Sequence, residues 1–266
     1  MRGTGLVAAL GLVAAAIGPG PVHVASVAVP VSVLIPGGTF DYRPAGEFRI
    51  GTRVLDAPTQ QIAVPGLDIM QFQVSEANYA ACMVDAGCPD VRTQGRADYA
   101  QTGVNHADGT AYAKWLSDQT GQNWRLPTDA EWVRAAGERA AADALDTDAS
   151  DPDPSRRWLA AYQLETTLRG DADFIAHPQG FFGLNDLGLA DMAGNVWEWT
   201  ESCFQNGTLS ADGQSISATA EHCDVRAVQG KHRAFVIDFI RNARSGGCSA
   251  GVPPDFLGFR LVRDPV

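Results

Sequence analysis

Helix-start signals crowd the first half of this chain, and strand patterns broken by Gly and Pro lie at both of its ends. Ser75 caps the stretch EANYAACMVDAG, and a second helical stretch, HADGTAYAKWLSDQTG, stops at Gly121. Thr128 and Glu131 have the spacing of a capping box at the start of a further helix. The stretches IPGGTFDYRPAGEFRIGTRV and FLGFRLVRD are typical of short strands. Helices grouped between strand-rich ends favour an α+β fold over a wound parallel sheet.

Composition limits the partners that such a fold can have. With 266 residues, of which 45% are hydrophobic, the chain can bury a sizeable core. Its 31 acidic and 20 basic residues give a net charge of -11, so no basic surface is available to attract phosphate backbones. Nucleic acid is therefore not an expected partner.

The first residues are typical of a secretory signal peptide. Arg2 precedes an apolar run from Leu6 to Ile17, and Gly-Pro breakers and small residues follow that run. The run is too short to cross a bilayer, and no other segment could span one. We expect a signal peptide over residues 1–28, a single domain over residues 29–266, and a periplasmic or secreted location. An uncleaved N-terminal anchor is the alternative.

Export makes disulfides possible, and the five cysteines are spaced as if four of them were used. Cys82 and Cys88 flank an Asp-Ala-Gly turn, which predicts one bond. Cys203 and Cys223 bracket a polar segment, which predicts a second. Cys248 is left over, and it is either buried and inert or kept for chemistry.

Several stretches, taken in order, resemble one protein family. They are IPGGTF, FQVSEANYAAC, GVNHADGTAYAKWL, WRLPTDAEWVRAAG, GLNDLGLADMAGNVWEWTESC, RNARSGG and LGFRLVRD. Together they are similar to the formylglycine-generating enzyme (sulfatase-modifying factor) family over nearly the whole mature chain. The resemblance implies a loop-rich, C-type-lectin-like α+β domain with short twisted antiparallel strands and two main helices.

The resemblance also implies a calcium site in the stretch DMAGNVWE. Family members bind calcium in this loop, and the matching positions here are Asp191, the carbonyls of Gly194 and Val196, and Glu198. Calcium accepts such mixtures of carboxylate and carbonyl oxygens. In the alternative reading, Asp191 and Asn195 only cap the turn through local backbone contacts, and the tryptophans belong to the core.

The family's catalytic copper is not expected in this chain. Formylglycine-generating enzymes hold Cu(I) between two cysteines that follow a segment like RGGSW, because soft thiolates suit that ion. When 229–233 is aligned on that segment, the two cysteine positions fall on Phe235 and Ile240, and neither side chain can bind a metal. The five histidines lack metal-ligand spacing, so iron is not expected either.

A basic segment stands where the copper motif is lost. Its candidate groove residues are His232, Arg233, Asp238, Arg241 and Cys248. Cationic and imidazole donors there could receive a carboxylate, a phosphate or a peptide end. Alternatively, Arg241, Arg244 and Arg260 pair with buried acids such as Glu131 or Glu198.

The run of GKHR, DFIRNARSGGC and GVPPDFLGFRL is similar to exported family members described as accessory proteins of copper-containing nitrite reductase. This likeness implies an accessory or maturation role toward an exported client protein or peptide. Two alternatives remain open. One is an oxidoreductase that acts on a peptide or small molecule, as in formylglycine generation or pyoverdine maturation, and the other is a lectin-like ligand-binding module.

Overall fold

The structure is a computed structural model that describes residues 27–141, 143, 145, 153–169, 175–237 and 253–265. The predicted signal peptide lies almost wholly outside these residues, so its cleavage stays a prediction. The described residues form four α-helices and a 3-10 turn at Gly137–Arg139. The helices are α1 (Glu76–Val84), α2 (His106–Thr120), α3 (Asp129–Ala136) and α4 (Pro154–Arg169).

Local capping contacts confirm the predicted helix ends. The Ser75 side chain accepts the backbone N–H of Asn78, and α2 ends at Gly121 with a left-handed φ of 69°. Both halves of the predicted capping box form at the start of α3, where Thr128 accepts from the Glu131 N–H and the Glu131 side chain accepts from the Thr128 N–H. These contacts join residues only three apart, so the sequence alone can specify them.

Twelve strands form three sheets in the described part of the chain. The first sheet has the order β1-β6-β12-β7, the second has the order β10-β9-β8-β3-β4 with β11 beside β8, and the third pairs β2 with β5. The strands are β1 (Ser32–Ile35), β2 (Gly38–Tyr42), β3 (Gly46–Ile50), β4 (Arg53–Leu55), β5 (Gln60–Val64), β6 (Leu67–Met70), β7 (Trp124–Arg125), β8 (Trp197–Leu209), β9 (Ile216–Gln229), β10 (Arg233–Ile237), β11 (Leu257–Gly258) and β12 (Val262–Arg263).

The strands confirm the α+β class but depart from uniformly short antiparallel strands in two respects. β8 and β9 are 13 and 14 residues long, and they form one extended hairpin. β8 also runs parallel to β3 and to β11. The N-terminal and C-terminal parts of the chain thus meet along one edge of β8, while β9 pairs with the other edge, and no local pattern indicates this.

The core lies between α1, α2 and the first sheet on one side, and around α3 on the other. Trp199 and Trp132 are buried, with 0% and 1% of their surface exposed. The Trp199 indole donates to the Val104 carbonyl at 2.8 Å, so its polar atom is satisfied within the core. Trp197 and Trp199, the tryptophans that flank Glu198, are both buried and belong to the core, as the alternative reading expected.

Both predicted disulfides are confirmed: Cys82 is bonded to Cys88, and Cys203 to Cys223. Cys248 lies outside the described residues. Within the described part of the chain, none of the helices has the length and apolar character needed to cross a membrane.

Candidate functional site

A cavity of about 270 Å³ opens beside Arg233 at the end of the β9–β10 hairpin. It lies between this hairpin, β2 and the end of α3. Ten residues line it: Asp41, Tyr42, Arg43, Thr59, Val133, Ala140, Ala141, Asp143, Gln229 and Arg233. Most of its polar lining comes from residues far apart in the sequence.

Asp129 organises the wall of this cavity although it does not itself line it. The capping box fixes Asp129 as the first residue of α3, where its side chain is fully buried. Its Oδ2 accepts hydrogen bonds from the Tyr42 hydroxyl at 2.6 Å and from Arg233 Nη1 at 3.0 Å. Its Oδ1 accepts from Gln229 Nε2 at 2.6 Å. A buried carboxylate at a helix N-terminus thus has three side-chain donors.

Arg233 is the one predicted groove residue that lines the cavity, but its charge is neutralised. Besides Asp129, it pairs with Asp143, whose Oδ2 lies 2.8 Å from Nε and 2.6 Å from Nη2. Its Nη1 also donates to the Arg43 carbonyl at 3.0 Å. Burial alone lowers the pKa of the guanidinium, yet the charges of Asp129 and Asp143 outweigh burial and raise it. The expectation of a cation available to an anionic ligand is therefore wrong for Arg233.

The arrangement can position a polar ligand but presents no activated nucleophile among the described lining residues. Burial, and then the negative charge of Asp129, raise the pKa of the Tyr42 phenol far above its usual value. Tyr42 therefore stays a neutral hydrogen-bond donor at physiological pH. Gln229 and Arg233 face each other in the β9–β10 register, which places both side chains on one face of the hairpin.

The other candidate groove residues do not join this wall. The His232 carbonyl accepts from the Trp197 indole at 3.1 Å, and the two rings meet edge to face at 5.5 Å. His232 is absent from the cavity lining. Asp238, Arg241 and Cys248 lie outside the described residues. The predicted groove is thus represented here by Arg233 alone.

In the loop proposed for calcium, the Asp191 carboxylate is engaged by backbone amides. Its Oδ2 accepts from the Gly180 N–H at 2.6 Å, and its Oδ1 accepts from the Phe182 N–H at 2.8 Å. Asp191 and Asn195 adopt left-handed φ values of 59° and 62°, and the Asn195 Oδ1 accepts from the His177 N–H. These side chains thus tie the turn to the segment 177–182, rather than capping it through its own backbone as the alternative to calcium supposed.

The Glu198 carboxylate is surrounded by donors. Arg260 binds both of its oxygens at 2.7 Å, and both side chains are almost fully buried. Gln73 donates to Oε1 at 2.8 Å, and Trp132 donates to Oε2 at 2.9 Å. A divalent cation at Glu198 would face the Arg260 charge and four existing bonds, so the set as arranged does not fit calcium. Calcium binding at Asp191, Gly194, Val196 and Glu198 stays a prediction that metal analysis can check.

The aligned copper position on β10 is filled by an aromatic side chain. Phe235 is 39% exposed and packs edge to face on Phe204, with ring centroids 4.9 Å apart. Ile240, the second aligned position, lies outside the described residues. The four cysteines within the described ranges are all bound in disulfides. No thiol of the described residues is available at the family's copper position.

Residues 21–265 match the family model of the sulfatase-modifying factor enzyme 1-like domain, called FGE-sulfatase. The chain belongs to this family. The match extends over almost every described element, including the α3 capping box, the Glu198–Arg260 pair and the β9–β10 hairpin. The family expected from the sequence motifs is thereby confirmed.

Two curated relatives illustrate the range of the family. The chain is 29% identical over 185 residues to a formylglycine-generating enzyme of Mycobacterium tuberculosis, covering 64% of this chain and 59% of that one. It is 26% identical over 160 residues to an inactive C-alpha-formylglycine-generating enzyme 2 of Bos taurus, covering 60% and 48%. The chain thus spans about half the length of these relatives.

Solved structures agree on the fold. PvdO from Pseudomonas aeruginosa superposes with a TM-score of 0.57 at 20% identity, covering 89% of this chain and 95% of that one. The Treponema denticola variable protein 1 gives 0.51 at 15% identity, covering 88% and 95%. These likenesses concern the fold alone.

Sequence reasoning missed four residues around Arg233: Tyr42, Asp129, Asp143 and Gln229. Only Asp129 had a usable signal, because an acid directly after a capping Thr lies at a helix N-terminus. Tyr42 and Asp143 come from distant segments, and nothing near them in the sequence indicates their partner. Gln229 belongs to the same hairpin as Arg233, but the sequence did not predict the register that pairs them.

Proposed function

We propose that this chain is an exported member of the family that serves as an accessory or maturation factor for another exported protein. Copper-dependent formylglycine generation is not part of the proposal. The observation that carries it is the aromatic side chain of Phe235 at the aligned copper position, packed on Phe204. An apolar ring there supplies no ligand for Cu(I), which prefers thiolates.

Export is part of the same proposal and is supported by two features. The first 28 residues have the pattern of a signal peptide. Two disulfides join the described cysteines, and such bonds persist in oxidising compartments. The net charge of -11 leaves proteins and peptides, rather than nucleic acids, as the expected clients. A copper-containing nitrite reductase is the client suggested by the sequence motifs.

A peptide or small-molecule enzyme is the second candidate, and the cavity beside Arg233 favours it. Its volume of about 270 Å³ would hold one side chain or a small ligand. The donors and acceptors of Tyr42, Gln229 and Asp143 would orient a polar group there. These residues offer recognition, while any redox chemistry would need a cofactor that they do not themselves hold.

A conversion assay tests whether copper-dependent formylglycine generation is rightly left out of the proposal. Purified mature protein is incubated with copper, oxygen and a CxPxR-type peptide, and the aldehyde product is measured by mass spectrometry beside the Mycobacterium tuberculosis enzyme as a positive control. We expect no conversion by this chain. Conversion at a rate comparable to the control would end the proposal.

A genetic experiment tests the accessory role directly. Deletion of the gene should lower the metal content and specific activity of the exported client, and the wild-type chain should restore both. Complementation with the Arg233→Ala variant then shows whether the cavity beside Arg233 is needed to restore the activity and metal content of the client. Unchanged client activity and metal loading after deletion would contradict the accessory role for that client.

A further inference from the structure

The disulfide between Cys203 and Cys223 lies at an irregular point of the β8–β9 hairpin. Cys203 faces Arg226 in the strand register, whereas its neighbour Phe204 already faces His222. Cys223 therefore falls within a bulge of β9, and a second register shift separates Trp199 from Cys203. Bulges release side chains from the ladder and redirect them, often beside functional sites.

The two disulfides of the chain differ in access. Cys82 and Cys88 lie in the core, with 0% and 8% of their surface exposed. Cys223 is exposed, and Cys203 is partly buried. Since exchange requires a thiolate to reach one sulfur atom, a reductant can attack Cys223 while the core disulfide stays protected.

A third metal-binding side chain converges on the exposed disulfide. The ligand atoms of Cys203, Cys223 and Glu221 all lie within 4.8 Å of one another. The exposed Glu221 carboxylate is steadied by Gln205 Nε2, which donates to its Oε1 at 3.1 Å. In the ranges that the structure describes, no other three His, Cys, Asp or Glu side chains meet this closely.

We propose that reduction of the Cys203–Cys223 disulfide opens a metal site in which two thiolates and the Glu221 carboxylate bind a d¹⁰ cation, Zn²⁺ or Cu⁺. The reductant is a dithiol, which supplies two electrons and two protons. Its thiolate attacks the Cys223 Sγ, and the Cys203 sulfur leaves as a thiolate. The second thiol of the reductant resolves the mixed disulfide, so the reductant becomes a disulfide. Metal binding then releases the two cysteine protons.

The surroundings suit each part of this step. Arg226 Nη1 lies 3.3 Å from the Cys203 Sγ, where its positive charge stabilises the leaving thiolate. Zinc–sulfur bonds of about 2.3 Å place two sulfurs about 3.8 Å apart in a tetrahedral site. Once the S–S bond is broken, rotation of the two cysteine side chains can separate the sulfurs to that distance, and a Glu221 carboxylate oxygen already lies within 4.8 Å of both.

The hairpin keeps its register on both sides of the opened bond. Glu198 pairs with Gln229 below the bulges, and Phe204 to Leu209 pair with β9 above them. The strands therefore hold the two cysteines near each other without the covalent link. The site uses neither residue of the aligned copper positions, although the Phe235 ring packs on Phe204, next to Cys203, and it does not depend on the proposed client role.

The test uses the mature chain carrying Cys248→Ser, which removes the remaining thiol. Oxidised protein and protein treated with dithiothreitol, then desalted without oxygen, are titrated with Zn²⁺ against a chromophoric chelator and with Cu⁺ against bicinchoninate. We expect one equivalent of metal in the reduced form and none in the oxidised form. Alkylation and mass spectrometry should show Cys203 and Cys223 opened while Cys82–Cys88 stays intact.

Matched variants assign the ligands. Cys203→Ser/Cys223→Ser should abolish binding, and Glu221→Gln should weaken Zn²⁺ by about tenfold or more because it removes one oxygen ligand. The control Glu165→Gln, at an exposed position on α4, should change neither the Zn²⁺ affinity nor the Cu⁺ affinity. Two results overturn the proposal: a reduced parent that binds neither ion, or binding that survives the double serine variant. Unchanged zinc affinity in Glu221→Gln removes Glu221 from the site and with it the three-ligand assignment.

Discussion

Two buried arginines, Arg260 and Arg233, each bind a buried carboxylate, yet their surroundings are opposite. Arg260 is 0% exposed, and besides Glu198 its donors go to the carbonyls of Met70, Gln71 and Ala190. The Arg233 side chain is 8% exposed and borders a cavity, and one of its partners, Asp143, is 25% exposed. The first network joins four segments inside the core, while the second supports a surface that a ligand can reach.

The difference shows how one interaction type serves two purposes. A buried ion pair adds little stability compared with apolar side chains of similar volume in the same place. Removal of one partner is costly, however, because it leaves an uncompensated buried charge. Around Glu198 no solvent can replace the lost partner. Around Asp129, Tyr42 and Gln229 remain as donors, and the cavity admits water. We therefore expect the closed network to be the less tolerant of change.

The largest effect is expected for Arg260→Ala. It leaves the Glu198 charge buried with only Gln73 and Trp132 as donors, so the free energy of unfolding should fall by about 3–5 kcal/mol. Urea denaturation followed by circular dichroism measures it. Lys114→Ala is the control, because its pair with Asp118 is exposed, and it should cost less than about 0.5 kcal/mol.

Arg233→Ala should have a smaller effect in the same assay. Asp129 keeps its bonds from Tyr42 and Gln229, so we expect a loss of about 1.5–3 kcal/mol, in the range of a hydrogen bond to a charged group. Arg233→Lys should recover part of it. A loss that equals or exceeds that of Arg260→Ala would break the comparison between closed and open networks.

A third ion pair, Arg125 with Glu131, extends the comparison to the dependence of stability on pH. Burial raises the pKa of Glu131, but hydrogen bonds from Arg125 and Thr128 outweigh it, and the net pKa lies below the usual 4.5. The stability from this carboxylate is therefore present above pH 4.5 and is lost as the pH falls through the folded-state pKa. With Glu131→Gln, the unfolding free energy should fall less steeply as the pH is lowered below 4.5. An identical acid slope in parent and variant would show that Glu131 contributes nothing.

The smallest effect is expected from calcium. Because Arg260, Gln73 and Trp132 already occupy the Glu198 oxygens, the melting temperature should be the same in excess Ca²⁺ and in EDTA. Differential scanning calorimetry checks this, with magnesium as the matched ion. A rise that is specific to calcium would restore the predicted ligand set and require Arg260 to move aside.

The pattern of success follows the range of the interactions. The helix ends at Ser75, Gly121 and Thr128 were predictable, because their caps join residues within one turn. The fold was predictable because the sequence motifs identified the family. The wall of the cavity beside Arg233 was not predictable, since Tyr42, Asp129 and Asp143 reach it from segments far away along the chain. The pairing of Arg260 with the buried Glu198, by contrast, was one of the two alternatives that the sequence offered, and the structure confirms it.

By itself, the sequence determined the helix caps, both disulfides, the family and the aromatic residue at the aligned copper position, because each depends on residue type and short spacing. Only the tertiary structure decided that Arg233 is neutralised, that Glu198 is enclosed by four donors, and that Glu221 meets the exposed disulfide. The reason is physical: the charge state and accessibility of a side chain depend on the segments that fold against it, and those segments lie far away along the chain.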